Sequence, residues 1–281
     1  KMMDQIRDQG IRQQGMQELD IVSIVKPVTK YAVMVTKPEE IRYHLDRAVY
    51  EATTGRKGPV WLDLPLDIQA MQVDEESLTG WQPETADAQD VQAADAALEQ
   101  QVLKIIDELN HASRPVLLAG NGIRLAEAIP EFEKLVDVLR IPVLTTWNGI
   151  DLIGEDHPLF FGRPGGMGQR YANFVQQNSD FFLSIGARMN LLQTGYNFDG
   201  FAREAVKVMV DIDENELHKI NVRPQIAVCA DAEAFIRCML KHADRIEKRD
   251  HSEWIAYAGR MKEKYPVVLK KYWEQQDEVN T

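Results

Sequence analysis

The chain has 281 residues, of which 32 are Lys or Arg and 44 are Asp or Glu, so its formal net charge is −12 at pH 7. A chain this acidic repels phosphate backbones and anionic membrane surfaces, which argues against nucleic acid and membranes as partners. Apolar residues make up 44% of the chain. That share can build a sizeable core, and the length suits one large domain or two ordinary ones.

The sequence shows no targeting signal and has few cysteines, so we expect a cytoplasmic protein. No apolar run approaches the roughly 20 residues that span a bilayer, and no charged-then-apolar signal segment is present. The two cysteines, Cys229 and Cys238, have no metal-ligand spacing with any histidine. We therefore expect two buried thiols rather than a disulfide or a zinc site, and we assign no metal ligand in the chain.

Residues 1–69 have the pattern of a partial α/β segment. The predicted elements are, in order, strands at Asp20–Val25 and Tyr31–Val35, a helix at Pro38–Gly55 and a strand at Pro59–Leu64. Residues 70–96 are acidic and rich in Gln, and they show no sustained hydrophobic period. We interpret them as a linker between domains.

Residues 97–245 alternate helices with continuous apolar runs. The predicted elements are, in order, a helix at Ala97–Ala112, a strand at Pro115–Ala119, a helix at Glu127–Arg140, strands at Pro142–Thr145, Phe181–Ile185, Val206–Ile212 and Ile226–Cys229, and a helix at Ala232–His242. This alternation predicts an α/β fold with a doubly wound parallel sheet, for which we expect six strands in a Rossmann-like domain. Residues 246–281 follow as a helical tail without a closing strand.

Two glycines, Gly120 and Gly122, directly follow the first strand of this domain. Glycine at such a place lets the backbone approach a ligand and turn into a helix whose N terminus attracts phosphate. Leu125 stands where a dinucleotide-binding fingerprint has its third glycine. A plain tight turn therefore explains the pair as well as a nucleotide site does.

The loop Gly162–Asn173 carries four glycines ahead of a helix that we expect to start near Gln169. Its centre, formed by Gly165, Gly166 and Met167, can offer backbone N–H groups to a diphosphate. The alternative is a flexible loop whose glycines adopt positive φ angles without any ligand.

Polar residues also stand at the ends of three other strands. The candidate ligand residues there are Thr145, Thr146, Gly186, Arg188 and Asp211. An arginine can neutralise a phosphate or pair with a surface carboxylate, and an aspartate can accept ribose hydroxyls. Asp213 is better placed as the N-cap of the next helix. Because parallel strands end at one edge of the sheet, we expect these residues and the glycine motifs to line one ligand crevice.

These motifs, in this order and spacing, resemble the acetolactate synthase and pyruvate oxidase group of thiamine-diphosphate enzymes. The segments that carry the resemblance are Gln17–Asp20, Lys26–Lys30, Gly55–Asp67, Arg114–Arg124, Pro142–Gly149, Gly162–Asn173, Ser179–Arg188 and Asp211–Glu216. It implies that residues 1–69 are the C-terminal part of a pyrimidine-binding domain and that residues 97–245 are the middle domain. Residues 246–281 would then lead to a diphosphate-binding domain.

The resemblance implies an enzyme that joins or decarboxylates 2-keto acids with thiamine diphosphate and Mg²⁺, working as a homo-oligomer, either a dimer or a tetramer. In that family a glutamate upstream of Gln17 activates the cofactor, and a Gly-Asp-Gly…Asn motif in a third domain holds the diphosphate and Mg²⁺. Neither lies in these 281 residues. We therefore expect the chain to be an inactive internal fragment in which Gln17 and Lys30 border the active site.

Middle domains of the family hold FAD, an adenine nucleotide or nothing. Here Lys26 stands where the resemblance places an arginine, Leu192 replaces a second arginine, and Gly166-Met167 replaces a Met-His pair. The FAD pattern is therefore incomplete, and all three occupancies remain open. Two alternatives come from other classes: a non-catalytic module that binds a nucleotide or packs catalytic domains, and an NAD-dependent dehydrogenase, which the missing third glycine disfavours.

Overall fold

A computed structural model describes residues 10, 11, 13, 15, 18–84 and 88–273. The chain divides into two units, Lys1–Asp87 and Ala88–Thr281. The division falls within the stretch that the sequence predicts to be a linker. The last part of that stretch is helical, because a helix begins at Ala88 instead of Ala97.

The first unit contains a two-stranded parallel sheet with helices around it. Its elements are helix α1 (Ile21–Val25), strand β1 (Tyr31–Met34), helix α2 (Ile41–Thr53), strand β2 (Val60–Asp63) and helix α3 (Leu66–Gln69). Tyr31 pairs with Val60 and Met34 with Asp63, so the two strands are in register over their whole length.

The prediction of a strand at Asp20–Val25 is wrong. Residues Ile21–Val25 form helix α1, because the side chain of Asp20 caps its N terminus. The carboxylate accepts hydrogen bonds from the Ser23 amide at 3.3 Å and from the Ser23 hydroxyl at 2.6 Å. A cap of this kind outweighs the weak strand preference of a short β-branched run.

The second unit is built on a parallel sheet of five strands. They are β3 (Pro115–Ala119), β4 (Val143–Thr145), β5 (Phe181–Ile185), β6 (Val206–Asp211) and β7 (Ile226–Cys229), arranged in the order β4-β3-β5-β6-β7. The predicted doubly wound parallel sheet is confirmed, with five strands in the described residues where we expected six. Beyond β4, the described residues form only an isolated parallel bridge, between Val143 and Phe160.

Helices cover both faces of this sheet. They are α4 (Ala88–His111), α5 (Gly122–Leu125), α6 (Ile129–Leu139), α7 (Arg170–Gln177), α8 (Leu191–Thr194), α9 (Glu214–Leu217), α10 (Ala232–Lys241), α11 (Ser252–Lys264) and α12 (Lys270–Trp273). No helix in the described ranges is both long enough and apolar enough to span a lipid bilayer.

Alternate residues of the central strand β3 face two separate cores. Leu117 and Ala119 pack in a core with residues of α4, α6 and α10. Val116 and Leu118 pack in a second core with residues of α7 and α11. All four side chains are fully buried, which explains why the strand is a continuous apolar run and not an alternating one.

Helix α11 belongs to the second core, although the sequence predicts only a tail in this region. Trp254 and Ala258 of α11 are buried against the sheet. The indole Nε1 of Trp254 donates a hydrogen bond to the Pro115 carbonyl oxygen at 2.9 Å. The helix therefore covers one face of the sheet at the beginning of its central strand.

Both cysteines are free thiols, and they differ in their exposure to solvent. Cys238 is half-buried, whereas Cys229, at the end of β7, is exposed. The prediction of two buried thiols is therefore wrong for Cys229. Cys229 is the last residue of the edge strand β7, and Ala230 next to it already leads into α10.

Substitution of Trp254 tests the contribution of α11 to the second unit. We expect Trp254→Phe to lower the free energy of unfolding by about 1–3 kcal/mol, because the Pro115 carbonyl loses its donor in a buried place. Trp147→Phe is the control, since Trp147 is exposed, and it should change stability by less than about 0.5 kcal/mol. Equal denaturation midpoints in urea for the two variants would contradict this role of α11.

Candidate functional site

The carboxyl edge of the five-stranded sheet contains a topological switch point. From β3 the chain first adds β4 on one side, and it then crosses to the other side to add β5. The loops after β3 and β5 therefore leave the edge side by side. In open parallel sheets such a point forms a crevice in which ligands bind.

Gly120, Gly122 and Gly186 bring these two loops into direct contact. A Cβ atom on Gly120 would lie 2.1 Å from the Gly186 oxygen and 2.3 Å from the Ala187 Cα. The Gly120 amide donates to the Ile185 oxygen at 2.9 Å, and the Gly122 amide donates to the Gly186 oxygen at 3.0 Å. Close backbone packing thus accounts for the glycines, and these two amides already have partners within the chain.

The predicted diphosphate loop is closed on itself by hydrogen bonds. The Gly165 amide donates to Asn173 Oδ1 at 2.8 Å, and Asn173 Nδ2 returns a bond to the Gly165 oxygen at 3.0 Å. The Gly166 amide donates to the Leu192 oxygen at 2.7 Å, and Met167 at the tip is 71% exposed. The loop is therefore pinned to helix α7 and to the segment after β5, with the amides of Gly165 and Gly166 satisfied.

The base of the same loop is held by a buried tyrosine. Tyr171 Oη donates to Gln169 Oε1 at 2.9 Å, and the same oxygen accepts the Arg163 amide at 2.8 Å. Burial raises the pKa of Tyr171 to about 12. The hydroxyl group therefore keeps its proton and remains a donor at every ordinary pH.

Thr145 is a fully buried residue at the end of β4 whose hydroxyl oxygen has no hydrogen-bond partner in the described part of the chain. Its amide is satisfied by the Gly162 oxygen at 3.1 Å, and the neighbouring Thr146 amide bonds to the Ala119 oxygen at 3.0 Å. An unpaired buried hydroxyl costs free energy, and strain, a functional role or a bound water or ion accounts for such groups in proteins.

Arg188 lies in an unusual turn after β5. Arg188 and Met189 have φ angles of 55° and 45°, a left-handed conformation that non-glycine residues rarely adopt. The side chain of Arg188 is 62% exposed, and its Nε lies 3.2 Å from Glu216 Oε1. Arg188 therefore forms an ion pair, but its partner is the buried Glu216 and not the surface carboxylate of the alternative prediction.

Residues after β6 support this turn, and the sequence gives no sign of them. Lys219 Nζ donates to the Arg188 oxygen at 3.1 Å. Asn221 Nδ2 donates to the Met189 oxygen at 2.7 Å and to Thr194 Oγ1 at 3.0 Å. Their spacing from Asp211 has no known motif, so only the fold identifies them.

Asp211 ends β6 beside this turn. Its Oδ1 accepts the Asp213 amide at 3.0 Å, while Asp213 accepts the Asn215 amide at 3.0 Å and caps helix α9. The predicted cap is confirmed. Asp211 is half-buried at the same edge of the sheet as Thr145 and Arg188.

Exposed apolar side chains occur in the segments that follow the strands at this edge of the sheet. They follow the carboxyl ends of β4, β5 and β6 and are Trp147, Ile150, Met167, Leu191, Leu192, Tyr196, Ile212 and Ile220. Leu192 is 66% exposed, and its backbone contacts Gly166 at the glycine loop. This position therefore offers an apolar surface and no positive charge to a ligand.

Two predicted residues belong to the first unit. Gln17 lies outside the described residues. Lys30 Nζ donates to the Thr54 oxygen at 2.7 Å and also to the Glu51 oxygen, so its ammonium binds the C-terminal carbonyls of helix α2. A cation is favourable at that end of a helix. The placement of Lys30 at an active-site border stays a prediction.

The side chains that commonly bind metals are not clustered in the described residues. In the part of the chain that the structure describes, no three His, Cys, Asp or Glu side chains are grouped so that they could hold a metal ion. Mg²⁺ requires at least one carboxylate in near-octahedral geometry. We assign no metal ligands to the described residues.

The fold and its edge define a Rossmann-like domain with a switch-point crevice. Residues 102–239 match the family described as "Thiamine pyrophosphate enzyme, central domain". The chain is also similar to the probable acetolactate synthase large subunit of Methanocaldococcus jannaschii, with 35% identity over 89% of this chain and 42% of that protein. The acetolactate synthase large subunit of Corynebacterium glutamicum is 35% identical over 89% of this chain and 39% of its own length.

A third relative extends the same pattern. The acetolactate synthase isozyme 1 large subunit of Escherichia coli is 30% identical over 91% of this chain and 43% of its own length. The chain thus spans about two fifths of the length of these relatives. Residues 102–239 thus carry the central domain of the thiamine pyrophosphate enzyme family, and the chain is similar to acetolactate synthase large subunits along about nine tenths of its length.

The contact between the two switch-point loops can be tested with alanine. Gly120→Ala should lower the free energy of unfolding by about 3 kcal/mol or more, because its Cβ overlaps backbone atoms that cannot move aside independently. Gly259→Ala is the control: a Cβ there meets nothing within 4 Å, and alanine favours the helix by up to about 1 kcal/mol. The prediction fails if Gly120→Ala is as stable as the wild type in urea denaturation.

Proposed function

We propose that the protein takes part in acetolactate-type carboligation, in which thiamine diphosphate serves to join 2-keto acids. The observation that carries this proposal is the match to proteins named acetolactate synthase large subunits along about nine tenths of the chain. Thiamine diphosphate supplies a stabilised carbanion to such reactions. A homo-oligomeric enzyme in the cytoplasm is part of the same proposal.

The 281 residues alone are proposed to be inactive. The sequence contains no Gly-Asp-Gly triplet, and the described residues offer no metal group. They therefore do not fit Mg²⁺ and the diphosphate of the cofactor, and no catalytic step is assigned to them. In this proposal the residues that activate the cofactor belong to other segments of the protein.

Activity measurements test this division of roles. The purified 281-residue chain, supplied with thiamine diphosphate, Mg²⁺ and pyruvate, should form no acetolactate above the protein-free background. The coding sequence beyond Thr281 is the companion test, since a Gly-Asp-Gly…Asn motif is expected in the following domain. Acetolactate formation by the chain alone would contradict the proposed inactivity, and absence of the motif would contradict the proposed chemistry.

For the chain's own residues, we propose that the switch-point crevice binds an adenine nucleotide through its diphosphate. Support comes from the unpaired Thr145 hydroxyl, the exposed Arg188 and the carboxylate of Asp211 at one sheet edge. These groups suit a hydroxyl or phosphate oxygen, a phosphate and a ribose. ADP fits better than FAD because Leu192 offers no charge to a longer ligand.

Thr145→Val tests the nucleotide proposal, because it should change stability and affinity for ADP in opposite directions. Removing an unpaired buried hydroxyl should raise the free energy of unfolding of the ligand-free chain by about 1 kcal/mol, whereas ADP should bind roughly tenfold more weakly. Thr194→Val is the control, because the Thr194 hydroxyl accepts a bond from Asn221 and its loss should destabilise the chain. Calorimetric titration that detects no binding of ADP or FAD to the wild type would refute the proposal.

A further inference from the structure

Glu216 is a buried acid among residues that otherwise suit an anionic ligand. It is only 6% exposed, and it lies on the short helix α9, which follows β6. Its Oε1 accepts a bond from Arg188 Nε at 3.2 Å, and its other oxygen contacts the ammonium of Lys219. A carboxylate so close to the crevice repels phosphate. If the crevice binds an anion, Glu216 therefore has to favour binding in some other way.

The geometry of the bond between Arg188 and Glu216 indicates how Glu216 can favour the binding of an anion. The bond to Glu216 uses Nε, which is the inner nitrogen of the guanidinium group, and the side chain remains 62% exposed. The guanidinium is planar and rigid, so fixing Nε also fixes the direction of the two terminal nitrogens. These terminal nitrogens are the pair that binds two phosphate oxygens at once.

The backbone below Arg188 is held by the same group of residues. Lys219, which contacts Glu216, also donates to the Arg188 carbonyl oxygen at 3.1 Å. The left-handed turn at Arg188 and Met189 is thus bound from the segment after β6 at both its side chain and its main chain. A turn in this conformation persists only where its surroundings hold it.

We infer that Glu216 is a positioning residue, which with Lys219 orients Arg188 so that its terminal nitrogens bind the diphosphate of an adenine nucleotide. This inference rests on the nucleotide proposal above and goes beyond it by giving a buried acid a role in binding an anion. The energetic advantage is preorganisation: the arginine loses its rotamer freedom during folding and not during binding.

The direction in which Glu216→Gln changes the affinity for ADP separates this role from a purely electrostatic one. If Glu216 orients Arg188, Glu216→Gln should weaken ADP binding by roughly tenfold, as expected for a lost charge-assisted bond. If the carboxylate only lowers the local potential, the same substitution should tighten ADP binding. Titration calorimetry with ADP measures the difference directly.

Glu131→Gln is a matched control for the change of charge. Glu131 pairs with Arg237 at 3.4 Å, and Arg237 is 63% exposed, close to the value for Arg188. Glu131 lies on α6 and Arg237 on α10, where Arg237 also pairs with Glu233. This variant should change the ADP dissociation constant by less than about twofold.

A double-mutant cycle shows whether Glu216 acts through Arg188. In an Arg188→Leu background, Glu216→Gln should cause no further weakening, whereas independent effects would add. If Glu216→Gln fails to fold because Lys219 loses its carboxylate partner, the pair Glu216→Gln and Lys219→Met removes both charges and should show the same weakening.

The outcomes distinguish the two proposals. Wild-type chain that binds no ADP refutes the nucleotide proposal and the role of Glu216 with it. Wild-type chain that binds ADP, combined with unchanged or tighter binding by the Glu216 variants or with full additivity in the cycle, refutes the positioning role alone. Weaker binding that disappears in the Arg188→Leu background supports both.

Discussion

The contact between the loops after β3 and β5 is the constraint on which the rest of the second unit depends. At Gly120 the two backbones are so close that a single added carbon would lie 2.1 Å from the Gly186 oxygen. This distance sets how neighbouring strands leave the sheet, and it therefore sets where Arg188 begins its turn. Amides that bind phosphate in other switch-point folds are here used to join the loops, so side chains have to provide the contacts with a ligand.

Because these backbone amides are already bonded within the chain, the polar groups of the crevice are side chains. Thr145, Arg188 and Asp211 come from three different strands, and each has part of its bonding capacity committed to the protein. The segments that follow the strands at this edge also carry exposed apolar side chains. A crevice of this kind suits a ligand with a flat apolar ring and a charged tail, which is the character that an adenine nucleotide shares with larger cofactors.

Much of the fold follows from the sequence because buried parallel strands have a strong signature. The runs at Pro115–Ala119 and Phe181–Ile185 are continuous, apolar and flanked by glycine or charge, and their bounds agree with the structure. The run at Ile21–Val25 is richer in β-branched residues than either strand but becomes helical through a single cap at Asp20. The conformation of a short segment depends on individual hydrogen bonds, and the hydrophobic pattern of the sequence does not reveal them.

The candidate site was predictable only in part. The strand ends could be placed because their position follows from the topology, and this brings Gly120, Gly186 and Asp211 to one edge. The roles of the glycines could not be read, because close packing and ligand binding require the same absence of a side chain. Glu216 and Asn221 were missed since their partners, Arg188 and Met189, are distant in sequence and meet them only in the folded chain.

The position of helix α11 has a consequence for how the chain acquires its structure. Trp254 reaches back across 139 residues to the first residue of the central strand, so the cover that α7 gives this face of the sheet is completed only when this late part of the chain has been synthesised. Until then the second core, which contains Val116 and Leu118, lacks the side chains of Trp254 and Ala258. Cooperative closure of the second unit is therefore a late event during translation, and the nascent sheet is the state most exposed to aggregation and to capture by chaperones.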